Sequence, residues 1–338
     1  MLHCVTISEL FPATAPLTIV NTKKKRAERT AQMQNTIRLD RQVIGTGLHS
    51  GMPACLRLRP APADTGLQFH RVDCAKHERV IQVSPENWIE ASLCTVLENA
   101  AGVRVSTVEH LLAALHGCGV HNAIIEIDGP EVPILDGSSS PFVRLILDAG
   151  IKPLDAPLQA LRVLKPVSVE KDGASARLLP SDRLEIDFRI EFTDPAIGRQ
   201  HKHLNMRNGT FLRELSDCRT FCMRQDVELM QQHGLALGGS LDNAVVFHDG
   251  EVLSPGGLRR PDEPVRHKIL DAMGDLYVAG YPLIGRYEGV RAGHALTGRV
   301  LQALFSSHEN YELITCNSKI CGSLPGLGLS IDEMRLSA

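Results

Sequence analysis

Short segments that alternate apolar and polar residues recur along most of this chain, and they constrain its possible folds more than any other feature. The clearest examples are residues 36–51, 54–61, 167–180 and 183–192. A period of two places neighbouring side chains on opposite faces of a β-strand. Residues 122–129 predict a further strand. The sequence therefore predicts several short strands, each with an apolar face that can cover a core.

Other segments carry their apolar residues at helical spacing. These segments are 106–119, 141–151, 264–280 and 294–305. In the first, Ser106 and Glu109 fit a capping box, while Gly117 and Gly119 fit the end of a helix. In the third, Pro264 stands in the first turn, where a helix tolerates proline. Strands mixed with helices in this way predict an α+β fold.

The length of 338 residues favours two domains over one. Prolines cluster in residues 152–166, which predicts a domain junction there. The segments VEHLLAAL and VRHKILDAM both place histidine third, after valine, and this weak similarity favours two similar domains, each a sheet layered with helices. The expected boundaries are a disordered extension over 1–34, a first domain over 35–157, a second over 158–310 and a tail over 311–338.

Composition argues against several classes of function. A net charge of -3 and 4% aromatic residues do not suit a nucleic-acid surface, although the basic run at residues 23–26 leaves a nucleic-acid tail as an alternative. No apolar run reaches the roughly 20 residues of a membrane span, so we expect no integral membrane segment. Nine cysteines without a Cys-x-x-Cys pair favour a reducing cytoplasm over a disulfide framework or a cysteine zinc site.

A catalytic zinc ion commonly takes three protein ligands and leaves one position for water. His267 and Asp271 are four residues apart on a predicted helix, so they face the same way. His110 could supply a third ligand, and Glu109 beside it could take a proton from water. The residues alone leave plainer alternatives open. The His–Asp pair also fits a surface ion pair, Glu109 a helix cap, and His294 an ordinary first residue of a helix.

A set of longer motifs narrows these alternatives. Between about residues 36 and 305, the chain closely resembles the UDP-3-O-acyl-N-acetylglucosamine deacetylase family, the zinc amidases of bacterial lipid A synthesis. The matching stretches, which occur in the family's order, are GTGLHSG, RPAPADTG, STVEHLLAAL, PEVPILDGSSSPFV, CRTF, GLALGGSLDNAVVF, VRHKILDAMGDL and GHALTGRVLQAL. The resemblance implies an α+β enzyme with its active site between two domains and with inserted elements in each half.

The resemblance also implies roles for individual residues. It gives His110, His267 and Asp271 as the zinc ligands. It gives Glu109 as the general base that activates water at zinc, and His294 as the general acid that assists departure of the amine. Asp275, one helical turn past Asp271, matches the carboxylate that orients this histidine. These assignments belong to the resemblance, since the spacing alone does not establish them.

Residues around the substrate are implied in the same way. Thr220 matches a hydroxyl close to the developing oxyanion, Phe221 a ring that contacts the sugar, and Lys268 a basic residue that holds the charged part of the substrate. His49 matches a histidine near the metal that is not a ligand. Cys94 matches a cysteine able to approach zinc as a modulator, with a buried core thiol as the alternative.

The family's second half carries an inserted strand–helix–strand element that lines an acyl-chain passage, which we expect between about residues 193 and 238. The implied partner is a UDP-linked acylated amino sugar, hydrolysed at its acetamide by a cytoplasmic monomer. Three alternatives remain: an amidase or esterase for another acylated sugar, a non-catalytic metal-binding scaffold, and the nucleic-acid binder. A scaffold would be expected to lack Glu109 or His294, and the chain has both.

Overall fold

A computed structural model of the chain describes residues 32–317, 320 and 322–327. The basic run at 23–26, most of the predicted extension and much of the predicted tail lie outside these residues. The first half contains the following elements, in chain order: β1 (Met33–Ile37), β2 (Arg41–Thr46), β3 (Pro53–Pro60), β4 (Leu67–Arg71), β5 (Val80–Gln82), β6 (Trp88–Ile89), β7 (Val96–Glu98), β8 (Arg104–Ser106), α1 (Glu109–Gly117), β9 (Ala123–Ile127), α2 (Ser140–Ala149) and β10 (Ile151–Pro157).

The second half follows with a similar mixture of strands and helices. Its elements are β11 (Gln159–Val163), β12 (Val167–Lys171), β13 (Ala174–Leu179), β14 (Leu184–Glu191), β15 (Arg199–Asn205), α3 (Thr210–Glu214), β16 (Phe221–Met223), α4 (Arg224–Gln232), β17 (Val245–His248), β18 (Glu251–Val252), α5 (Glu263–Leu276), β19 (Leu283–Val290), α6 (His294–Phe305) and β20 (Tyr311–Thr315). Short 3-10 turns occupy Pro85–Asn87 and Tyr277–Ala279.

Each half is built on one larger sheet. In the first half the strand order is β2-β3-β9-β4-β5, and β6-β7-β8 form a smaller sheet. In the second half the order is β12-β13-β19-β11-β20, with β14 paired to β19 and β15 paired to β14. Helices α5 and α6 pack against strands of this second sheet, and the α+β class with sheets layered by helices is therefore confirmed.

The alternating segments bury one face, as expected. On β3, Leu56 and Leu58 are fully buried while Arg57 between them is not, and β9 buries Ile125 and Ile127. A fully buried Leu or Ile side chain stabilises the fold by roughly 1.5–3 kcal/mol. One continuous apolar core takes residues from both halves. The domain boundary at residues 157 and 158 stays a prediction.

Strands lie within the predicted junction and next to two of the other predicted boundaries. Residues 152–166 contain β11 and most of β10, and Pro153 and Pro157 lie on β10, which has β1 as its only paired strand among the described residues. Proline is tolerated there because an edge strand does not need every N–H for pairing. Strand β1 begins at Met33, inside the predicted extension, and β20 in the predicted tail pairs with β11.

The capping box predicted at the start of α1 is wrong. Ser106 lies in β8, and its hydroxyl donates to the carbonyl of Pro130. The cap position is Val108, and the Glu109 carboxylate accepts a hydrogen bond from the backbone N–H of Thr95 instead of folding back on the helix. The side chain of Glu109 is thus directed away from the helix end and into the protein interior.

Helices α1 and α5 approach each other very closely, and this contact positions the site. All residues of α1 from Glu109 to Gly117 are buried. A methyl group added at Gly274 on α5 would lie 2.0 Å from the Glu109 carbonyl oxygen. The missing side chain at Gly274 therefore brings the backbone that carries Glu109 and His110 against the helix that carries His267 and Asp271.

A strand–helix–strand segment occurs in the second half, and its last strand, β17, lies beyond residue 238, where the inserted element was expected to end. That this segment is the family's inserted element stays a prediction. Strand β16, helix α4 and strand β17 follow one another, and β16 pairs in parallel with β17. None of the helices among the described residues combines the length and the apolar character needed to cross a membrane.

Candidate active site

His110, His267 and Asp271 form a buried group that we call the metal triad. Asp271 Oδ1 lies 3.4 Å from His110 Nε2 and 3.2 Å from His267 Nε2. One ligand atom from each residue falls within 4.8 Å of the others. Among the described residues, Asp271 Oδ1 has no hydrogen-bond partner although it is buried. A bound cation would satisfy this oxygen, so the triad fits a metal ion.

Neighbouring groups orient the triad. The His267 ring donates from Nδ1 to the Cys218 carbonyl at 3.0 Å, which leaves Nε2 to face Asp271. Lys268 Nζ donates to Asp271 Oδ2 at 2.8 Å. Burial alone would raise the pKa of Asp271, but His267 and Lys268 outweigh it and hold that pKa well below its usual range. Burial lowers the pKa of His110, which favours the neutral ring that a metal needs.

Glu109, Asp275 and His294 form a second group, the acid–base cluster. His294 Nδ1 lies 2.9 Å from Asp275 Oδ2, and His294 Nε2 lies 3.8 Å from Glu109 Oε1. Burial opposes a charge on His294, but Asp275 and Glu109 raise its pKa to about 9. Burial raises the pKa of Glu109 to about 7, with His294 acting in the opposite direction. The cluster can hold an ionised base beside a protonated acid near neutral pH.

The two groups adjoin each other. His294 Nε2 is 4.0 Å from Asp271 Oδ2, and Glu109 and His110 are consecutive on α1. Helix α5 supplies Asp271 and, one turn later, Asp275. Three helices therefore bring a candidate metal position and an acid–base pair to one buried place.

Of the three residues expected around a substrate, Phe221 and Lys268 contact the metal triad. The backbone N–H of Thr220 donates to the Gly137 carbonyl at 2.8 Å, which fixes the start of β16. The Phe221 ring stands edge-on to the His267 ring with centroids 6.4 Å apart. Lys268 reaches the triad through its contact with Asp271. Thr220 directly precedes Phe221 in the chain.

His49 and Cys94 lie on the first-half side. Glu131 accepts hydrogen bonds from the backbone N–H groups of His49 and Ser50, both at 2.8 Å. Neither ring nitrogen of His49 has a hydrogen-bond partner among the described residues. Burial lowers the pKa of His49, Glu131 acts in the opposite direction, and His294 lowers this pKa further. Burial, together with Glu109, raises the pKa of the Cys94 thiol to about 12, so this thiol is protonated near neutral pH.

Sequence reasoning missed two residues that hold this site together. Thr95 hydrogen-bonds to both Glu109 and Asp275. Glu263 accepts from the backbone N–H and the guanidinium of Arg219, the residue between Cys218 and Thr220, and both side chains are buried. Neither could be found by spacing, because each contact joins parts of the chain far apart in sequence.

Two imidazoles and a carboxylate at one point, beside an ionisable acid and base, are the arrangement of a metal-dependent hydrolase site. Comparison with known proteins supports a hydrolase. Residues 34–306 match the family model LpxC, described as UDP-3-O-acyl N-acetylglycosamine deacetylase.

Individual relatives carry the same description. The UDP-3-O-acyl-N-acetylglucosamine deacetylase of Phenylobacterium zucineum (strain HLK1) is 46% identical over 282 residues, which are 83% of this chain and 96% of that protein. The enzyme of that name from Haemophilus influenzae (strain 86-028NP) is 44% identical over 85% of this chain and 94% of its own. The chain belongs to the LpxC deacetylase family, and it is therefore an enzyme, a hydrolase.

Proposed function

We propose that this protein hydrolyses the acetamide of UDP-3-O-(3-hydroxyacyl)-N-acetylglucosamine with the help of zinc, giving the free amine and acetate in lipid A biosynthesis. The observation that carries the proposal is the metal triad, with its unpartnered buried Asp271 oxygen, beside the acid–base cluster. Membership of the deacetylase family supports the substrate class.

His110, His267 and Asp271 would hold the metal. Two nitrogen donors and one carboxylate suit zinc, which in catalytic sites leaves a position open. When bound, zinc supplies Lewis acidity and lowers the pKa of a bound water to about 7. The Nδ1 contact of His267 with Cys218 supports this assignment, because ligand histidines commonly donate their second N–H to a carbonyl or a carboxylate.

Glu109 and His294 divide the proton transfers. Glu109 takes a proton from the attacking water, since its raised pKa of about 7 allows it to accept one without being permanently protonated. His294, kept protonated by Asp275, donates a proton to the departing amine, which is otherwise a poor leaving group. The hydroxyl of Thr220 is proposed to stabilise the oxyanion of the tetrahedral intermediate.

The rest of the site would select the substrate. Phe221 would contact the sugar, and Lys268 would attract its charged portion. The Phe221 ring meets Phe192 and Phe247 edge-on, with centroids 5.4 and 6.3 Å away. Phe221 lies on β16 and Phe247 on β17, so these rings form an apolar cluster that joins the β16–α4–β17 segment to the metal triad, in keeping with an acyl passage there. We further propose that the protein is a cytoplasmic monomer, as the resemblance implies.

The deciding experiment measures acetate release by the purified, zinc-loaded protein. The acylated substrate is compared with plain UDP-N-acetylglucosamine at the same zinc concentration and pH. Each buried methylene contributes roughly 0.8 kcal/mol, so kcat/KM should fall by several powers of ten without the acyl chain. Equal kcat/KM values would reject the acyl passage and favour a deacetylase for another sugar. No acetate from either substrate would reject the deacetylase.

A further inference from the structure

Thr95 is a buried residue that contacts every member of the acid–base cluster. Its backbone N–H donates to Glu109 Oε2 at 3.0 Å, and its hydroxyl donates to Asp275 Oδ1 at 2.5 Å. The same hydroxyl lies 3.4 Å from His294 Nδ1. Thr95 is 1% exposed, so these contacts do not compete with solvent.

These contacts determine which carboxylate oxygens remain for the reaction. Asp275 uses Oδ1 for the Thr95 hydroxyl and Oδ2 for His294, at 2.5 and 2.9 Å, so its carboxylate cannot rotate without breaking a bond. Glu109 uses Oε2 for the Thr95 N–H, and its Oε1 is the oxygen that faces His294 Nε2 at 3.8 Å. One residue thus fixes the direction of both carboxylates.

Thr95 also connects the two halves of the chain. It lies just before β7 in the first half, whereas Asp275 is on α5 and His294 is the first residue of α6 in the second. An acid and a base must be held within tenths of an ångström to act on one bond. The hydrogen bond from the Thr95 hydroxyl to Asp275 supplies such a constraint between the two halves, next to the acid and the base.

We propose that Thr95 is a positioning residue that aligns Glu109 and the Asp275–His294 pair for proton transfer. It acts through these groups and not on the substrate. The proposal rests on the proposed function, because it assigns Thr95 to the acid and base of that reaction.

The test compares Thr95→Val, which removes the hydroxyl and keeps the shape, with Thr95→Ser, which restores it. Thr36→Val is the matched control, because Thr36 is a buried threonine whose hydroxyl accepts one hydrogen bond from Ala61, in a different part of the protein. For each full-length variant, kcat and KM for the acylated substrate, bound zinc and the melting temperature are measured.

We expect Thr95→Val to lower kcat about 10- to 100-fold, with KM and zinc content near wild type. Residues that hydrogen-bond to the groups of a metal site without binding the metal commonly have effects of this size. Thr95→Ser should recover most of the kcat, and Thr36→Val should match the wild type. If Thr95→Val does not fold, Thr95→Ala replaces it as the variant without a hydroxyl and is compared with Thr95→Ser and Thr36→Val in the same way.

The proposal is overturned if Thr95→Val turns over as fast as Thr36→Val, if only KM rises, if zinc is lost, or if Thr95→Ser is as slow as Thr95→Val. A wild-type protein that releases no acetate is a different result, since it rejects the proposed function itself and with it the role of Thr95. An active wild type with an unaffected Thr95→Val rejects the positioning role alone.

Discussion

Replacing Gly274 by alanine should push apart the two helices that carry the metal triad. The added methyl group would lie 2.0 Å from the carbonyl oxygen of Glu109, 2.8 Å from its carbonyl carbon and 3.0 Å from its Cα. All three atoms are backbone, so no side chain can rotate out of the way. An ordinary contact needs at least 3.4 Å, and α1 and α5 must therefore separate by more than an ångström at this point.

Two opposing effects determine how much Gly274→Ala changes the free energy of unfolding. Alanine is about 1 kcal/mol more favourable than glycine inside a helix. Overpacking a well-packed core costs about 1–3 kcal/mol, and a clash with rigid backbone belongs at the upper end. We expect a net loss of about 2 kcal/mol in the free energy of unfolding. Because metal–ligand distances tolerate only about 0.2 Å, the separation of His110 from His267 and Asp271 should also weaken zinc binding at least about tenfold.

The assay is denaturant unfolding of the metal-free protein, followed by zinc titration against a competing chelator. Gly129→Ala is the control, since a methyl group at this buried glycine would meet Ala54 Cβ at 3.7 Å, an ordinary contact. Gly129→Ala should leave the free energy of unfolding and the zinc affinity near the wild-type values. A Gly274→Ala protein with unchanged or higher stability and unchanged zinc affinity would refute the argument that this close approach sets the geometry of the site.

Four other predictions concern the site. His267→Ala should lose zinc and activity together, and a chelator should inactivate the wild type until modest zinc restores it; a variant with one zinc per chain by elemental analysis would show that the triad is wrong. The rate should rise with pH as Glu109 ionises, from a pKa of about 7, and fall as His294 loses its proton, from a pKa of about 9, with bound zinc lowering both values. Glu109→Ala should keep its zinc and lose the activity; near-normal turnover would remove Glu109 from the mechanism. Glu263→Gln removes the carboxylate that balances the charge of the buried Arg219 and should destabilise the fold by about 3 kcal/mol, measured by denaturant unfolding, and a change below about 0.5 kcal/mol would contradict this.

Local patterns were enough for the elements that depend only on which face of a segment is apolar. The helices predicted within 141–151, 264–280 and 294–305 occur as α2, α5 and α6, and the alternating segments occur as strands. The periodicity of a segment is fixed by its own residues, because the geometry of a helix or strand is the same wherever it packs. The spacing of His267 and Asp271 placed both on one side of α5 for the same reason.

Prediction failed where a side chain had two partners available and the fold chose between them. Glu109 could close a capping box with Ser106, but the fold places the N–H of Thr95 at its carboxylate. The deciding atoms come from a part of the chain that the local pattern does not describe.

The candidate active site also has features that the sequence determines and features that only the tertiary structure determines. The sequence determined that the chain is α+β, that α5 carries a histidine and an aspartate on one side, and that a glutamate and a histidine stand together at the start of α1. Only the tertiary structure brought His110 to 3.4 Å from Asp271, aligned Asp275 with His294, and placed Thr95 between the acid and the base. The physical reason is that a residue's type and its position on a helix are local properties, whereas the distance between two helices depends on how the whole core packs, and here on a glycine at 274 that lets the backbones approach.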